Sequence, residues 1–299
     1  MLDQNRQTNG FGAVQKPRRT LIAVAVAPET TLDGRKALER HAERADLVEL
    51  RIDGMRQCSL PELLRDRPCP VIVTNRAAWE GGQWTGSEEE RIAMLLQAVE
   101  LEAEYVDWEL AAASLLPDTT HWKTRLILSS HDFTSMDSLA TRHALCVTAG
   151  ADIPKAVGMA QASTEAVAAL DVLQSASCPS IALAMGAPGI ASRILAPKYN
   201  AFLTFAAADG GGTAPGQVTL DILRQVFYID DITPETIPYV LLSGSMPEFV
   251  DLARINEQLR AQGKNAVIVP ALLGEHENHT EAMKVWNAIG CMEYCPNNA

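Results

Sequence analysis

The sequence has a rhythm that few folds can satisfy. Between about residues 20 and 230, eight short apolar runs alternate with longer amphipathic stretches. The runs are 20–27 (TLIAVAVA), 46–52 (DLVELRI), 70–76 (PVIVTNR), 105–110 (YVDWEL), 124–129 (TRLILS), 151–157 (ADIPKAV), 180–186 (SIALAMG) and 200–207 (NAFLTFAA). Runs of this length and composition read as strands. Helix-like segments at 34–45, 88–103, 136–149 and 163–175 lie between them. Eight βα units in roughly 210 residues predict an α/β fold, a (β/α)8 (TIM) barrel. A doubly wound open sheet is the alternative, but no GxGxxG turn follows the first strand.

The segments outside this rhythm differ in kind. Residues 1–19 are polar, lack the apolar core of a secretion signal and read as a flexible tail. Asp230, Asp231 and Pro234 mark a break after the eighth unit. Beyond it come a strand (239–245), a helix (247–262), a second strand (265–272) and a further helix, roughly 279–289. The expected organisation is therefore a tail, a barrel at 20–232 and a βαβ-like extension at 233–299. No apolar run is long enough to span a bilayer. Six cysteines without a CxxC pair suit a reducing cytoplasm. The formal net charge of −12 argues against nucleic-acid or acidic-membrane partners, but leaves room for an anionic small molecule held by clustered arginines.

Polar residues sit in the strands in a telling way. Glu49 and Arg51 are two apart on one face of strand two, as are Asp107 and Glu109 on strand four. Arg76 ends strand three, and His131 lies just past strand five. Lys155 falls late in strand six, and Met185 late in strand seven. The C-terminal ends of barrel strands are where such folds carry their chemistry. Burying these charges merely for packing would cost too much.

Each candidate carries a plain and a chemical reading. Lys155, flanked by apolar residues, is either a snorkelling lysine or an amine freed to attack a ketone, with Arg51, Arg76 and Arg193 as cationic neighbours. His131 in SSHDF is a loop histidine or a proton shuttle. Arg193 is a surface arginine at a helix start or a bidentate carboxylate clamp. The GGGTAPGQ run (210–217) is a flexible loop or a close backbone approach to a ligand, with Gln217 supplying donor and acceptor.

The motifs ELRID, TNR with EGG four residues on, VDWEL, SSHDF, DIPKAV, MGxxGxxSR and APGQ, in this order, resemble the type I 3-dehydroquinate dehydratases over about residues 20–228. The resemblance implies a lyase that converts 3-dehydroquinate to 3-dehydroshikimate in the shikimate pathway through a Schiff base. Lys155 matches the imine-forming lysine, His131 the general acid/base and Glu80 the carboxylate orienting it. Arg193 matches the carboxylate clamp. Glu49, Arg51, Arg76 and Gln217 match groups that hold ring hydroxyls, and Met185 an apolar wall. Thr213 stands where many relatives have serine and Leu183 where some have methionine; the pocket serine of the first strand has no evident counterpart. The resemblance implies a homodimer and no metal or organic cofactor.

Two rivals share parts of this pattern. A class I aldolase also uses a strand-six lysine in such a barrel, and a non-catalytic relative would bind a cyclic polyol acid. His131 in SSHDF, the Arg193 clamp and the complete Lys155–His131–Glu80 set favour the dehydratase. The extension weakly resembles the opening of a shikimate dehydrogenase substrate domain. It reads LLSGSMPEFVDL without the expected serine-rich motif, so no dehydrogenase activity is expected. Its His276/His279 and Cys291/Cys295 spacings fit no common zinc site, and Glu275 and Glu277 read as solvated helix-end charges.

Overall fold

The computed structural model describes residues 19–209 and 211–295. Eight parallel strands form a nearly closed barrel in the order β7-β6-β5-β4-β3-β2-β1-β8. They are β1 (Leu21–Val26), β2 (Leu47–Arg51), β3 (Val71–Thr74), β4 (Tyr105–Glu109), β5 (Arg125–Asp132), β6 (Ile153–Met159), β7 (Ile181–Met185) and β8 (Leu203–Ala207). β8 pairs directly with β1, which excludes an open doubly wound sheet. At the remaining seam the Phe202 amide donates to the Ser180 carbonyl at 2.8 Å. Alternation along each strand sorts the side chains. Val24, Val48, Val73 and Leu128 face the helices, while Ala25, Ile72, Ile127 and Phe205 fill the interior.

The helices are α1 (Thr31–His41), α2 (Leu60–Leu64), α3 (Glu88–Glu100), α4 (Leu139–Thr148), α5 (Glu165–Ser175) and α6 (Ile190–Ile194). A capping box fixes the start of α3: Ser87 accepts from the Glu90 amide, and Glu90 accepts from the Ser87 amide. The expected eight regular βα units are not all present. A 3-10 turn, Leu110–Leu115, follows β4. Leu116 is extended ahead of Pro117, whose ring disfavours a helical residue before it. After β8 the chain makes only a short π-helical turn, Ile222–Val226. Of the expected tail at 1–19, only Arg19 lies among the described residues, paired with Asp46 at 2.5 Å.

Residues 237–293 build a second, three-stranded parallel sheet in the order β10-β9-β11. Its elements are β9 (Ile237–Ser243), α7 (Phe249–Ala261), β10 (Ala266–Leu272), α8 (His279–Ala288) and β11 (Met292–Glu293). The buried Asn256 side chain staples it to the barrel, donating to the carbonyls of Val226 (3.0 Å) and Ile268 (3.2 Å). Glu277 is not a solvated charge: its carboxylate accepts hydrogen bonds from Ser163, Thr164 and Gly274. Among the described residues no cluster of three or more His, Cys, Asp or Glu side chains could hold a metal, and no helix could cross a membrane. All six cysteines are free.

Candidate active site

The barrel interior changes character halfway along the strands. Below lie apolar residues such as Leu47, Ile153 and Ile181. Above them β2 offers Glu49, β3 Thr74, β4 Asp107 and Glu109, β5 Ser129 and His131, and β6 Lys155. Strand register sets who meets whom: Ser129 stands opposite Lys155 and His131 opposite Val157. Lys155 is the third residue of β6 rather than a late one, because β6 runs on to Met159; for the same reason His131 lies inside β5, not beyond it.

Lys155 is 4% exposed, which excludes a snorkelling side chain. Its nearest charged neighbours are carboxylates, not the arginines expected from the sequence. Nζ donates to Asp107 at 2.7 Å and lies 3.7 Å from Glu49, with the Phe205 ring 4.5 Å away. Burial alone would raise the Asp107 carboxyl, yet Arg76 and Lys155 hold it well below the usual range. Ser129 donates to the same carboxylate at 2.5 Å. Arg76 pairs with Asp107 at 2.9 Å and Glu109 at 3.0 Å. The second oxygen of Glu109 meets the buried Arg91, sent inward from α3, at 2.5 Å. Burial disfavours the Arg76 cation, but these carboxylates raise its pKa above the ordinary arginine value.

His131 and Glu80 form a second unit. The Glu80 carboxylate lies 2.8 Å from His131 Nδ1 and accepts from the His131 amide at 3.1 Å. Burial pushes the Glu80 carboxyl up to about 7, against the opposing pull of Arg76. Burial, reinforced by Arg76 and Lys155, pulls His131 well below its ordinary value. The imidazole is therefore neutral. With Glu80 ionised, Nδ1 carries the proton and Nε2 keeps its lone pair as a base.

Arg193 is the exception to this pairing. It is 1% exposed, and its Nε and Nη1 have no hydrogen-bond partner. Burial pulls its pKa down to about 10. A surface arginine is excluded, and the unsatisfied fork suits a bidentate anion. Nearby, Gln217 Oε1 accepts from the amides of Thr213 (2.8 Å) and Ala214 (3.3 Å), tying the turn after β8. Gly216 lets that turn approach β7: a Cβ there would sit 2.2 Å from the Gly186 carbonyl oxygen, and its φ is +75°. The turn is thus a fitted contact rather than a plain flexible loop.

A cavity opens over this layer. It is lined by all ten sequence candidates: Lys155, His131, Glu80, Glu49, Arg51, Arg76, Met185, Arg193, Thr213 and Gln217. The mixed polar and apolar lining suits a small polar ligand. Arg51 lines it while clamped by Asp53 at 2.8 and 2.9 Å. Sequence reasoning set Asp107 and Glu109 on one face but gave them no role, and it passed over Ser129, Asp53 and Arg91. The two-residue spacing on strand four was the available signal; Arg91, inside a helix, left none.

The arrangement combines a buried amine, a neutral imidazole with an acidic partner and an unpaired guanidinium. A model of the type I 3-dehydroquinase family matches residues 22–234. The chain belongs to that family. The 3-dehydroquinate dehydratase of Methanocaldococcus jannaschii is 33% identical over 220 residues, covering 71% of this chain and all of the relative. The crystal structure of 3-dehydroquinate dehydratase from Geobacillus kaustophilus is 25% identical with a TM-score of 0.61, covering 69% of this chain and 89% of that one. A structure of dehydroquinate dehydratase and shikimate dehydrogenase from S. pombe is 22% identical with a TM-score of 0.57. That match covers 93% of this chain and 56% of the other, so the likeness in fold runs on into the extension.

Proposed function

We propose that this type I dehydroquinase family member dehydrates 3-dehydroquinate to 3-dehydroshikimate through an imine on Lys155. The observation that carries the reading is the unpaired, buried Arg193 guanidinium lining the same cavity as the Lys155 amine and the His131–Glu80 pair. That cavity offers a receptor for a carboxylate, a nucleophile for a ketone and a base for an adjacent carbon acid.

The substrate carboxylate pairs with Arg193, and Glu49, Arg51, Arg76, Thr213 and Gln217 meet the ring hydroxyls. Met185 walls the apolar side. Lys155, having released a proton, adds to the C3 carbonyl, and the carbinolamine loses water to give an iminium. The iminium draws electrons from the C2–H bond, and His131 Nε2 takes that proton. The resulting enamine expels the C1 hydroxyl, which leaves as water by taking a proton from His131. Addition of water to the remaining iminium releases the conjugated enone and regenerates the amine. Asp107, 2.7 Å from Nζ, stabilises the nitrogen in its cationic iminium stages. In this reading residues 20–232 form the catalytic unit, residues 233–299 an extension, and the enzyme works as a cytoplasmic homodimer.

The test is borohydride trapping in the presence of 3-dehydroquinate, with mass spectrometry to locate the adduct and ultraviolet absorbance to follow the enone. An adduct on Lys155 with enone formation is expected, and Lys155→Ala should give neither. An adduct without enone would favour aldolase-like chemistry, and no adduct would end the covalent reading.

A further inference from the structure

Arg193 holds its place without polar help from its own side chain. Its Nε and Nη1 are unpaired, and the helix that carries it, α6, is only five residues long. So short a helix has little stability of its own and takes its position from what packs on it. Within the barrel β7, α5 and β8 pack on it. The Ala184 amide donates to the Ser192 hydroxyl at 3.0 Å, and the Thr204 hydroxyl donates to the Arg193 carbonyl at 3.1 Å. β10 of the extension covers it as well and also lies against the 187–189 turn ahead of α6. Ile190, Ala191 and Ile194 share one buried apolar cluster with Val267, Val269 and Ala271.

A second contact grips the other side of β7. The Glu277 carboxylate accepts from the Ser163 amide (3.0 Å), the Ser163 hydroxyl (3.1 Å) and the Thr164 amide (3.0 Å) of the barrel. It also accepts from the Gly274 amide of the extension at 3.0 Å. The buried Trp286 donates to the same Ser163 hydroxyl at 3.3 Å. Gly274 seats the loop tightly, since a Cβ there would lie 2.9 Å from Gln161 O and 2.9 Å from Ala162 Cβ. This β6–α5 turn is in turn tied to the pocket: the Ala160 amide donates to the carbonyl of Met185, the last residue of β7, at 3.0 Å.

We propose that the C-terminal extension braces the anion end of the active-site cavity, with Glu277 as a positioning residue. By holding the two turns that flank β7, it adds to the barrel's own hold on α6 and so tightens the aim of the unpaired Arg193 guanidinium. The proposal rests on the reading that Arg193 receives the substrate carboxylate. It assigns the extension a part in substrate affinity rather than an activity of its own.

The experiment compares the full chain with Glu277→Ala and Glu277→Gln. Thermal unfolding checks the fold, and steady-state kinetics with 3-dehydroquinate give kcat and KM. Remote misplacements of about 1 Å can cost on the order of 10²-fold, so KM should rise about tenfold or more. Lost carboxylate binding that is equal in ground and transition states leaves kcat within about twofold, and borohydride trapping at saturating substrate is unchanged. In an Arg193→Met background the Glu277 substitution should add little, because its effect runs through Arg193. An unchanged KM in folded Glu277→Ala, or full additivity with Arg193→Met, would overturn the brace. If Glu277→Ala does not accumulate in folded form, the near-isosteric Glu277→Gln supplies the KM. Should the unaltered protein form neither adduct nor enone, the dehydratase reading fails separately. Calorimetric titration with quinate, which carries the carboxylate but needs no turnover, then decides the brace: about tenfold weaker binding in the variant supports it, and equal binding overturns it.

Discussion

Arg193 should cost the free protein stability and repay it only when an anion binds, so Arg193→Met should raise the one while lowering the other. The guanidinium is 1% exposed with Nε and Nη1 unpaired, and burial lowers its pKa from the ordinary arginine value to about 10. At about 1.4 kcal/mol per pKa unit, that fall is on the order of 3 kcal/mol against the charged form. The arginine is charged in folded and unfolded chains alike below about pH 10, so the full penalty is present at neutral pH. It fades only as pH rises from there toward the ordinary arginine value, a window in which the unfolded chain alone still binds the proton. Methionine keeps the unbranched apolar stem and removes the charge. The ligand-free variant should gain roughly 1–3 kcal/mol, part of the penalty being lost to imperfect packing of the shorter side chain. At about 2–4 °C per kcal/mol for a chain of this size, Tm should rise by several degrees. Losing a bidentate charge-assisted contact should raise KM for 3-dehydroquinate by about 10²-fold or more. Differential scanning calorimetry without ligand, beside steady-state kinetics, reads both. A variant that melts lower than the parent without ligand would show that Arg193 has a structural partner and would refute the reasoning.

The His131–Glu80 pair makes two further predictions. His131→Ala should still give the borohydride adduct while turnover falls by about 10²–10⁴-fold, the usual worth of general acid–base catalysis; turnover near the parent's would remove His131 from the proton transfers. The acid limb of kcat/KM should fall near pH 7, because burial places the Glu80 proton at about 7 while holding His131 neutral. Once Glu80 is protonated it donates to Nδ1, the imidazole proton moves to Nε2, and the base is lost. Glu80→Gln should erase that limb and lower the rate on the plateau; a pH profile that keeps the same limb in the variant would assign the titration elsewhere.

The barrel was legible because its strands are continuous apolar runs bounded by turn residues, a local signal. The missing helix after β4 was not, although Pro117 fixes where the turn must end; alanine-rich AAASLL reads as helix unless tertiary packing is known. The same division runs through the site. Glu49, Lys155, His131 and Arg193 could be picked out because a charged residue in or just after a buried strand is conspicuous in one dimension. The partners they would find could not. Whether Lys155 faces guanidinium groups or carboxylates depends on the barrel register that sets Ser129 opposite Lys155 and brings Asp107 to 2.7 Å. Pairing of that kind is a property of strands 25 to 50 residues apart, as with Glu49 and Thr74 (25 apart) or Asp107 and Lys155 (48 apart).

Glu277 shows the limit most sharply. In sequence it lies among Glu275, His276 and His279 in a polar stretch ahead of a helix, where a solvated charge is the reasonable expectation. Its four hydrogen-bond donors come from Gly274 nearby and from Ser163 and Thr164, 114 and 113 residues away. A carboxylate becomes a clamp only when folding delivers unpaired backbone amides to it, and amides carry no sequence signature. The residues that perform chemistry are therefore readable from their type and spacing, whereas those that aim them are chosen by the backbone they meet. In this chain that separates Arg193, visible in MGxxGxxSR, from the extension packed on its helix.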